Sequence, residues 1–548
     1  MSLKKCLSGL TLIVATMFAC AVGAAAEENH HYRHVLLISV DGMHAIDLEN
    51  CSKGVSSVKG GSTYCPNLSE LLQHGVKYTA ASTSKPSDSF PGLTALVTGA
   101  TPRSTGAFYD VSYDRSLSPP KVTTPYGIVG GANLCPGTVG TQVGYDEEAD
   151  INLNSITAGG GINPDYLPRD PKNGCQPVYP HDFIRVNTIF NVVKQSGGYT
   201  AWSDKHQSYE LTKGPGGKGV DDFFSPEINS PVVPLNLGGA FDVAACHTIP
   251  DPTSLADWTS SFQNIQCYDT LKVQAVLRWI DGRTHDGSKS APVPTVFGMN
   301  FQAVSIGQKL VEKSIGVTGG YLDAFGTPSP ALEGEIEFVD FSIGRMVQEL
   351  KSRGLLDSTL IVISAKHGQS PIDPNRVLRI PADNTALEAP SAALPGADVA
   401  QALEDDISLI WLTDQTKTLA DASILSKNLS LVGGGEVFAG RTMNLLFNDP
   451  LKDPRTPDII VTPNIGVVYT GGTKKVSEHG GFAHDDTNVL MLLSSPDLPR
   501  KTFNGSVETR QLAPTILKAL GLDPDSLDGV RKEKTQVLPF LFDDDDER

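Results

Sequence analysis

Short apolar runs that stop on a polar residue alternate with amphipathic stretches along much of the chain. His34–Val40 (HVLLISV) is β-branched and apolar and stops at Asp41-Gly42, as a buried parallel strand does when it delivers a polar group to a sheet edge. A second such run, residues 358–364, is followed by Lys366-His367-Gly368. A further pair of elements is predicted at 183–193 and 199–202, and another strand at 488–493. Helical spacing marks residues 66–75, 90–97 and 511–520. The longest helix is predicted over 331–353, where Leu332, Ile336, Val339, Ile343, Met346, Val347 and Leu350 recur at three- and four-residue steps before the stop at Gly354. Buried strands alternating with helices predict an α/β fold, a mostly parallel sheet covered by helices on both faces. Ligands of such sheets sit beyond the carboxyl ends of the strands, where Asp41 and His367 both fall.

The pattern breaks in three places. Residues 111–185 and 205–260 are rich in Gly, Pro and Asn and predict long loops, and 376–450 predicts a cap-like insertion. The chain is expected to return to the sheet at Pro457-Asp-Ile-Ile-Val461. The organisation expected is therefore 1–26 as a leader, 27–375 as the first part of the core, 376–450 as the insertion and 451–548 as the rest of the core. The leader reads as a secretory signal: Lys4 and Lys5, an apolar run to Val22, then Ala24-Ala25-Ala26. After it, no segment has the roughly 18 uninterrupted apolar residues of a membrane span. A secreted or periplasmic location is expected.

The cysteines bear on this address. Beyond the leader there are six, Cys51, Cys65, Cys135, Cys175, Cys246 and Cys267, and an even number in an oxidising compartment favours disulfides. Sequential pairing is expected, since each pair then closes one loop-rich stretch. None has zinc-finger spacing. The 548 residues carry 44 basic and 62 acidic side chains, a net charge of −18, which disfavours nucleic-acid polymers as partners. Apolar content of 40% and charged content of 19% exclude a mainly disordered chain.

Candidate chemistry gathers around Asp41 and around Ser89, in Pro86-Ser-Asp-Ser-Phe-Pro-Gly-Leu-Thr-Ala-Leu-Val-Thr-Gly99. Ser89 stands at the mouth of a helix, whose unpaired N–H groups favour a phosphoryl group or an alkoxide. The plainer reading is that Ser89 is only the helix cap. The order strand-Asp-Gly, Ser-Phe-Pro, strand-His-Gly and a late Glu478-His-Gly resembles the type I phosphodiesterase/nucleotide pyrophosphatase family of the alkaline phosphatase superfamily. The resemblance covers roughly residues 34–110, 297–370 and 457–495.

That resemblance implies an alkaline phosphatase-like fold and a phosphoester hydrolase with two zinc ions facing a Ser or Thr nucleophile. It assigns Ser89 as nucleophile and Asp41, His367 and His479 as metal ligands. Other positions depart from the family. Its Asp and His ligands four residues apart fall on Val304 and Gln308, and its Asp before the His-Gly falls on Lys366. Asp110 stands where the family holds phosphate with Asn. Valine cannot bind a metal and an amide is a poor zinc ligand. Only one divalent ion, zinc by resemblance, is therefore expected at most, with Lys366 and Lys205 as substitute charge and Asp110 among the substrate contacts. Two readings follow. One is a phosphodiesterase-like enzyme for a small phosphoester or nucleotide-like substrate. The other is a catalytically degenerate protein that binds such a ligand on the same fold. A sulfatase is disfavoured because Leu93 stands where that motif needs Arg. Gly214-Pro-Gly-Gly-Lys-Gly219 predicts a turn and the final Asp543–Asp546 run a solvated tail, while His484 to Asp486 read equally well as added ligands near His479 or as a solvent-facing loop. Asp323 is a further candidate for a replacement ligand.

Overall fold

The computed structural model describes residues 32–131, 135, 139–152, 161–230, 258–381 and 386–542. The leader and the final acidic run lie outside them. An eight-stranded sheet organises the fold. From one edge to the other it runs Lys501–Glu508, Gly75–Ser82, Met491–Ser494, Thr359–Ser364, His34–Val40, Val296–Phe301, Thr200–Ser203 and Asp222–Phe224. Only Met491–Ser494 pairs antiparallel with its neighbours. The rest of the sheet is parallel.

Alternation along His34–Val40 assigns the two faces. Leu36, Ile38 and Val40 pack against the Phe262–Ile280 and Pro330–Ser352 helices. Val35 and Leu37 pack against Ser89–Thr98, Ile189–Gln195 and Leu512–Ala519. All of these core positions are buried, so the strand can be apolar throughout.

The Phe262–Ile280 helix escapes a reading of amphipathic spacing because it buries charge as well as apolar side chains. Asp269 and Lys272 are fully buried, pair at 2.9 Å, and serve the backbone beyond the Val296–Phe301 strand. Asp269 accepts from the N–H groups of Gln302 and Ala303, both at 2.8 Å, and Lys272 Nζ donates to the Asn300 carbonyl at 2.5 Å.

The expected return to the main sheet at 457–461 does not occur. Ile459–Pro463 joins Val399–Glu404, Ser408–Leu412 and Gly434–Ala439 in a separate four-stranded antiparallel sheet. Ile459 and Val461 pack there with Ile410, Leu412 and Leu425, while Ile460 packs on the other face with Phe108, Tyr109 and Trp411. An apolar run signals a strand but not which sheet takes it.

Cys51 pairs with Cys65 and Cys135 with Cys175, as sequential pairing predicts. Cys267 is also disulfide-bonded, and Cys246 lies outside the described residues. Gly214–Gly219 is a turn, with Gly214 N–H bonding the Leu211 carbonyl. No helix among the described residues is long and apolar enough to cross a membrane.

Candidate active site

Register brings the polar groups together. Ser39 lies between Asn300 and Ser364 in the sheet, and Met299 lies opposite Ser203. The residues at the carboxyl ends of four neighbouring strands, Asp204-Lys205, Asn300 to Gln302, Asp41 and Lys366-His367, therefore meet at one edge. Backbone bonds continue the ladder, from Asp41 N–H to the Phe301 carbonyl (3.0 Å) and from Gly42 N–H to the His367 carbonyl (3.1 Å). Gly42 adopts φ +82°, and a Cβ there would come within 2.0 Å of Gln308 Oε1, so the Asp-Gly turn needs glycine.

Asp41 is buried. Its Oδ2 accepts from Gln302 Nε2 (2.5 Å) and Asn300 Nδ2 (3.1 Å) and lies 3.6 Å from both Lys366 Nζ and His367 Nε2. Burial works to raise its pKa, yet the charges of Lys366 and His367 prevail and hold it well below the usual carboxylate range. Lys366 is fully buried, donates to Asp204 Oδ1 at 2.8 Å and lies 4.2 Å from the centre of the Tyr209 ring.

Ser89 opens a buried helix, Ser89–Thr98, but does not cap it. Asp88 is the cap, accepting from Phe90 N–H at 2.9 Å. That frees the Ser89 hydroxyl, which receives a hydrogen bond from Lys205 Nζ at 3.0 Å. The helix rests directly on the Lys366 backbone, for a Cβ at Gly92 would come within 2.1 Å of the Lys366 carbonyl oxygen. Burial tends to lower the Lys205 pKa, but Asp41, Asp110, Asp88 and Asp204 raise it, so the ammonium persists at neutral pH. Ser89 is itself closed to solvent, and the partly exposed Lys205 lies against it. Asp110 is close enough to push Asp88 upward, after burial, and its Oδ1 accepts from Val111 N–H at 2.9 Å.

His367 and His479 have ring centres 4.0 Å apart. Both lie below their ordinary pKa, first through burial, and His479 far below because His367, Lys309, Lys205 and Lys475 also oppose its protonation. Neutral imidazole is the metal-ligating form. His479 comes from a loop fixed by hydrogen bonds in both directions between Glu478 and Ser370, and Asp406 N–H donates to its carbonyl at 3.1 Å. Asp405 and Glu478 join it, each of the three offering one ligand atom within 4.8 Å of the others. Burial and then Glu478 push the Asp405 carboxyl well upward. Lys309 is lowered to about 8 by burial and by Lys475.

The residues do not fit two zinc ions. Val304 is buried in the core. Gln308 is consumed by other partners, donating to the Gly42 carbonyl at 2.7 Å and to Tyr321 Oη at 2.8 Å. The Lys366 ammonium stands 3.6 Å from Asp41, at the position where the family has a carboxylate ligand. Asp323 is not at the site: its Oδ1 caps a turn, accepting from Phe325 and Thr327 N–H groups. Asp485 is committed to Ile372 N–H at 2.9 Å. The fold thus assembles Asp41, Ser89, Asp110, Lys205, Lys366, His367 and His479 in one region. It adds Asp88, Asp204, Asn300, Gln302, Asp405 and Glu478, which the sequence reading missed. Asp204, Asn300 and Gln302 carry the same signal that flagged Asp41, a polar residue at the end of a buried run. Asp405 carries none.

A mostly parallel sheet with helices on both faces and these groups at its carboxyl edge define an alkaline phosphatase-like hydrolase scaffold. The sequence matches the family described as type I phosphodiesterase / nucleotide pyrophosphatase over residues 35–132 and 245–486. The chain belongs to that family, a group of phosphoric ester hydrolases. Among solved structures it is similar in fold to murine ectonucleotide pyrophosphatase / phosphodiesterase 5, at TM-score 0.53 and 12% identity over 90% of this chain and 96% of that one. The inactive form of the same murine protein in complex with AMP gives TM-score 0.53 and 11% identity over the same shares. No curated protein sequence matches the chain.

Proposed function

We propose that the protein is an extracytoplasmic phosphohydrolase in which Ser89 attacks phosphorus and lysine side chains supply charge that family members obtain from metal. The observation carrying this reading is the Lys205 ammonium 3.0 Å from Ser89 Oγ at a helix start. An ammonium there stabilises a developing seryl oxyanion and the equatorial oxygens of a bound phosphoryl group. Lys366, on the next segment, holds Asp41 ionised and adds a second fixed cation. Ser89 Oγ forms the new P–O bond, the departing alcohol takes the proton that Ser89 loses, and water then cleaves the seryl phosphate. Asp110 completes the substrate contacts.

Asp41, His367 and His479 are the ligands that the motif proposes for a single divalent ion of the zinc type, and because the Lys366 ammonium already stands beside Asp41, His479 is the one of the three proposed to keep it. Such an ion would polarise a phosphoryl oxygen. At Asp41 it would have to displace the Lys366 ammonium. The substrate proposed is a small phosphoester or nucleotide-like molecule, a class consistent with the family and with the AMP held by the murine structure. The signal-like leader and the disulfides support an extracytoplasmic address. Core segments 27–375 and 451–548 around a cap-like insertion at 376–450 are the proposed organisation, corrected in that Ile459–Pro463 pairs with the strands of the insertion.

The second reading, a phosphoester- or nucleotide-binding protein on this fold, draws on the closure of Ser89 to solvent. One experiment separates the two: hydrolysis of aryl phosphodiesters and monoesters by wild type and Ser89→Ala, with metal analysis of both proteins. Turnover lost in Ser89→Ala supports the enzyme. Turnover that survives there removes Ser89 as nucleophile. Binding without turnover in wild type, with every divalent ion tried, favours the binding protein.

A further inference from the structure

The family assignment places one metal ligand at His479, beside Asp88 on the turn that leads to Ser89, and leaves its usual partners as Val304 and Gln308. What the fold brings to His479 instead is two carboxylates. Asp405 comes from the turn between Val399–Glu404 and Ser408–Leu412 in the second sheet, and Glu478 precedes His479 in the chain. Glu478 is 1% exposed and His479 9%. Glu478 Oε2, Asp405 Oδ1 and His479 Nδ1 are buried atoms with no hydrogen-bond partner. A buried polar atom left without a partner is costly, and here there are three, on side chains that each offer one ligand atom within 4.8 Å of the others.

We infer that Asp405, Glu478 and His479 bind one divalent cation of the zinc type, with Asp405 of the second sheet replacing a ligand that the family takes from its core. One imidazole and two carboxylates are a zinc donor set that leaves a coordination position open. The other oxygen of each carboxylate is engaged, which orients the free one. Tyr109 Oη donates to Asp405 Oδ2 at 3.1 Å, and Lys475 Nζ takes Glu478 Oε1. Such outer partners fix ligand geometry in metal sites. The backbone is also held, by Tyr469 N–H to the Asp405 carbonyl at 2.8 Å and by Ser370 on Glu478. Asp88 faces the same imidazole, with Oδ1 at 3.6 Å from Nδ1. Lys309, Lys475 and Lys205 are cations that act on His479, and one ion must coexist with them. The competing occupant is a proton shared between Asp405 and Glu478.

Zinc alone is the probe. Chelator-stripped full-length protein, titrated with Zn²⁺ by calorimetry, is expected to take one equivalent. Asp405→Asn and Glu478→Gln are each expected to weaken it by at least about tenfold, with the fold checked by circular dichroism. Wild type that takes no zinc, or folded variants that titrate like wild type, would overturn the site. So would loss of zinc in Asp41→Asn with retention in Asp405→Asn. X-ray absorption of zinc-loaded wild type needs no variant: one nitrogen donor with oxygens supports the site, and two nitrogens, as from His367 with His479, overturn it. Ser89→Ala should take zinc like wild type whatever its activity, so failure of the hydrolase reading is seen separately.

Discussion

The two halves of the site solve the same electrostatic problem differently. Around Ser89, cations are built into the chain: Lys205 on the hydroxyl, and Lys366 between Asp204 and Asp41. Around His479, two carboxylates and an imidazole converge with acceptor atoms unspent. A lysine can replace the charge of a metal ion but not its ability to gather several ligands at one point. The half that gained Lys366 sets its buried carboxylates against built-in ammonium groups, although Asp41 Oδ1, Asp88 Oδ1 and Asn300 Oδ1 are unpartnered there too, while the other half gathers a candidate ligand set. Within one family fold, then, a half that has Val304 and Gln308 at two family ligand positions still gathers two carboxylates around its histidine.

Four substitutions test that contrast, in decreasing order of effect. Ser89→Ala should lower kcat on an aryl phosphoester by at least about 1,000-fold, because it removes the hydroxyl on which the proposed P–O bond forms. A loss under tenfold in steady-state assays would detach the lysine half from catalysis. Lys366→Met leaves Asp204 and Asp41 buried without their ammonium and should cost about 3–5 kcal/mol of stability. Urea unfolding measures it, and a cost below about 1 kcal/mol would mean that the lysine is no substitute for a fixed cation.

Lys205→Gln removes the cation at the hydroxyl but keeps a hydrogen-bond donor. It should reduce kcat about 100-fold, with stability nearly unchanged, and an unaltered kcat would show that the 3.0 Å contact has no catalytic part. Gln308→Leu should cost about 1–3 kcal/mol in the same unfolding assay, because the Gly42 carbonyl loses its donor. Zinc affinity in that variant should equal wild type. A fall in it would bring Gln308 into the metal-binding half.

Much of the site was legible because it lies at the ends of buried strands. Asp41, Lys366 and His367 each follow an apolar run by one to three residues, and Ser89 sits in a recognisable helix-opening turn. Asp204, Asn300 and Gln302 follow the same rule, but it does not say which strand ends are neighbours. That is set by register, by Ser39 lying between Asn300 and Ser364. The Phe262–Ile280 helix was hidden for a different reason. Its buried Asp269–Lys272 pair interrupts the apolar stripe while holding the turn that carries Gln302.

The sequence by itself determined the α/β class, the sequential cysteine pairs that the structure describes, and the family's motif residues, because periodicity and local turn chemistry act over a few residues. It also located the substitutions Val304, Gln308 and Lys366. Only the tertiary structure decided what those substitutions became: a core side chain, a donor to the Asp-Gly turn and a buried ammonium bridging two aspartates. It alone brought Asp405, more than 70 residues before His479, to the same point. No local pattern encodes that meeting, because it depends on which sheet captures the Ile459–Pro463 strand and on how the turn before Ser408–Leu412 docks against the His479 loop.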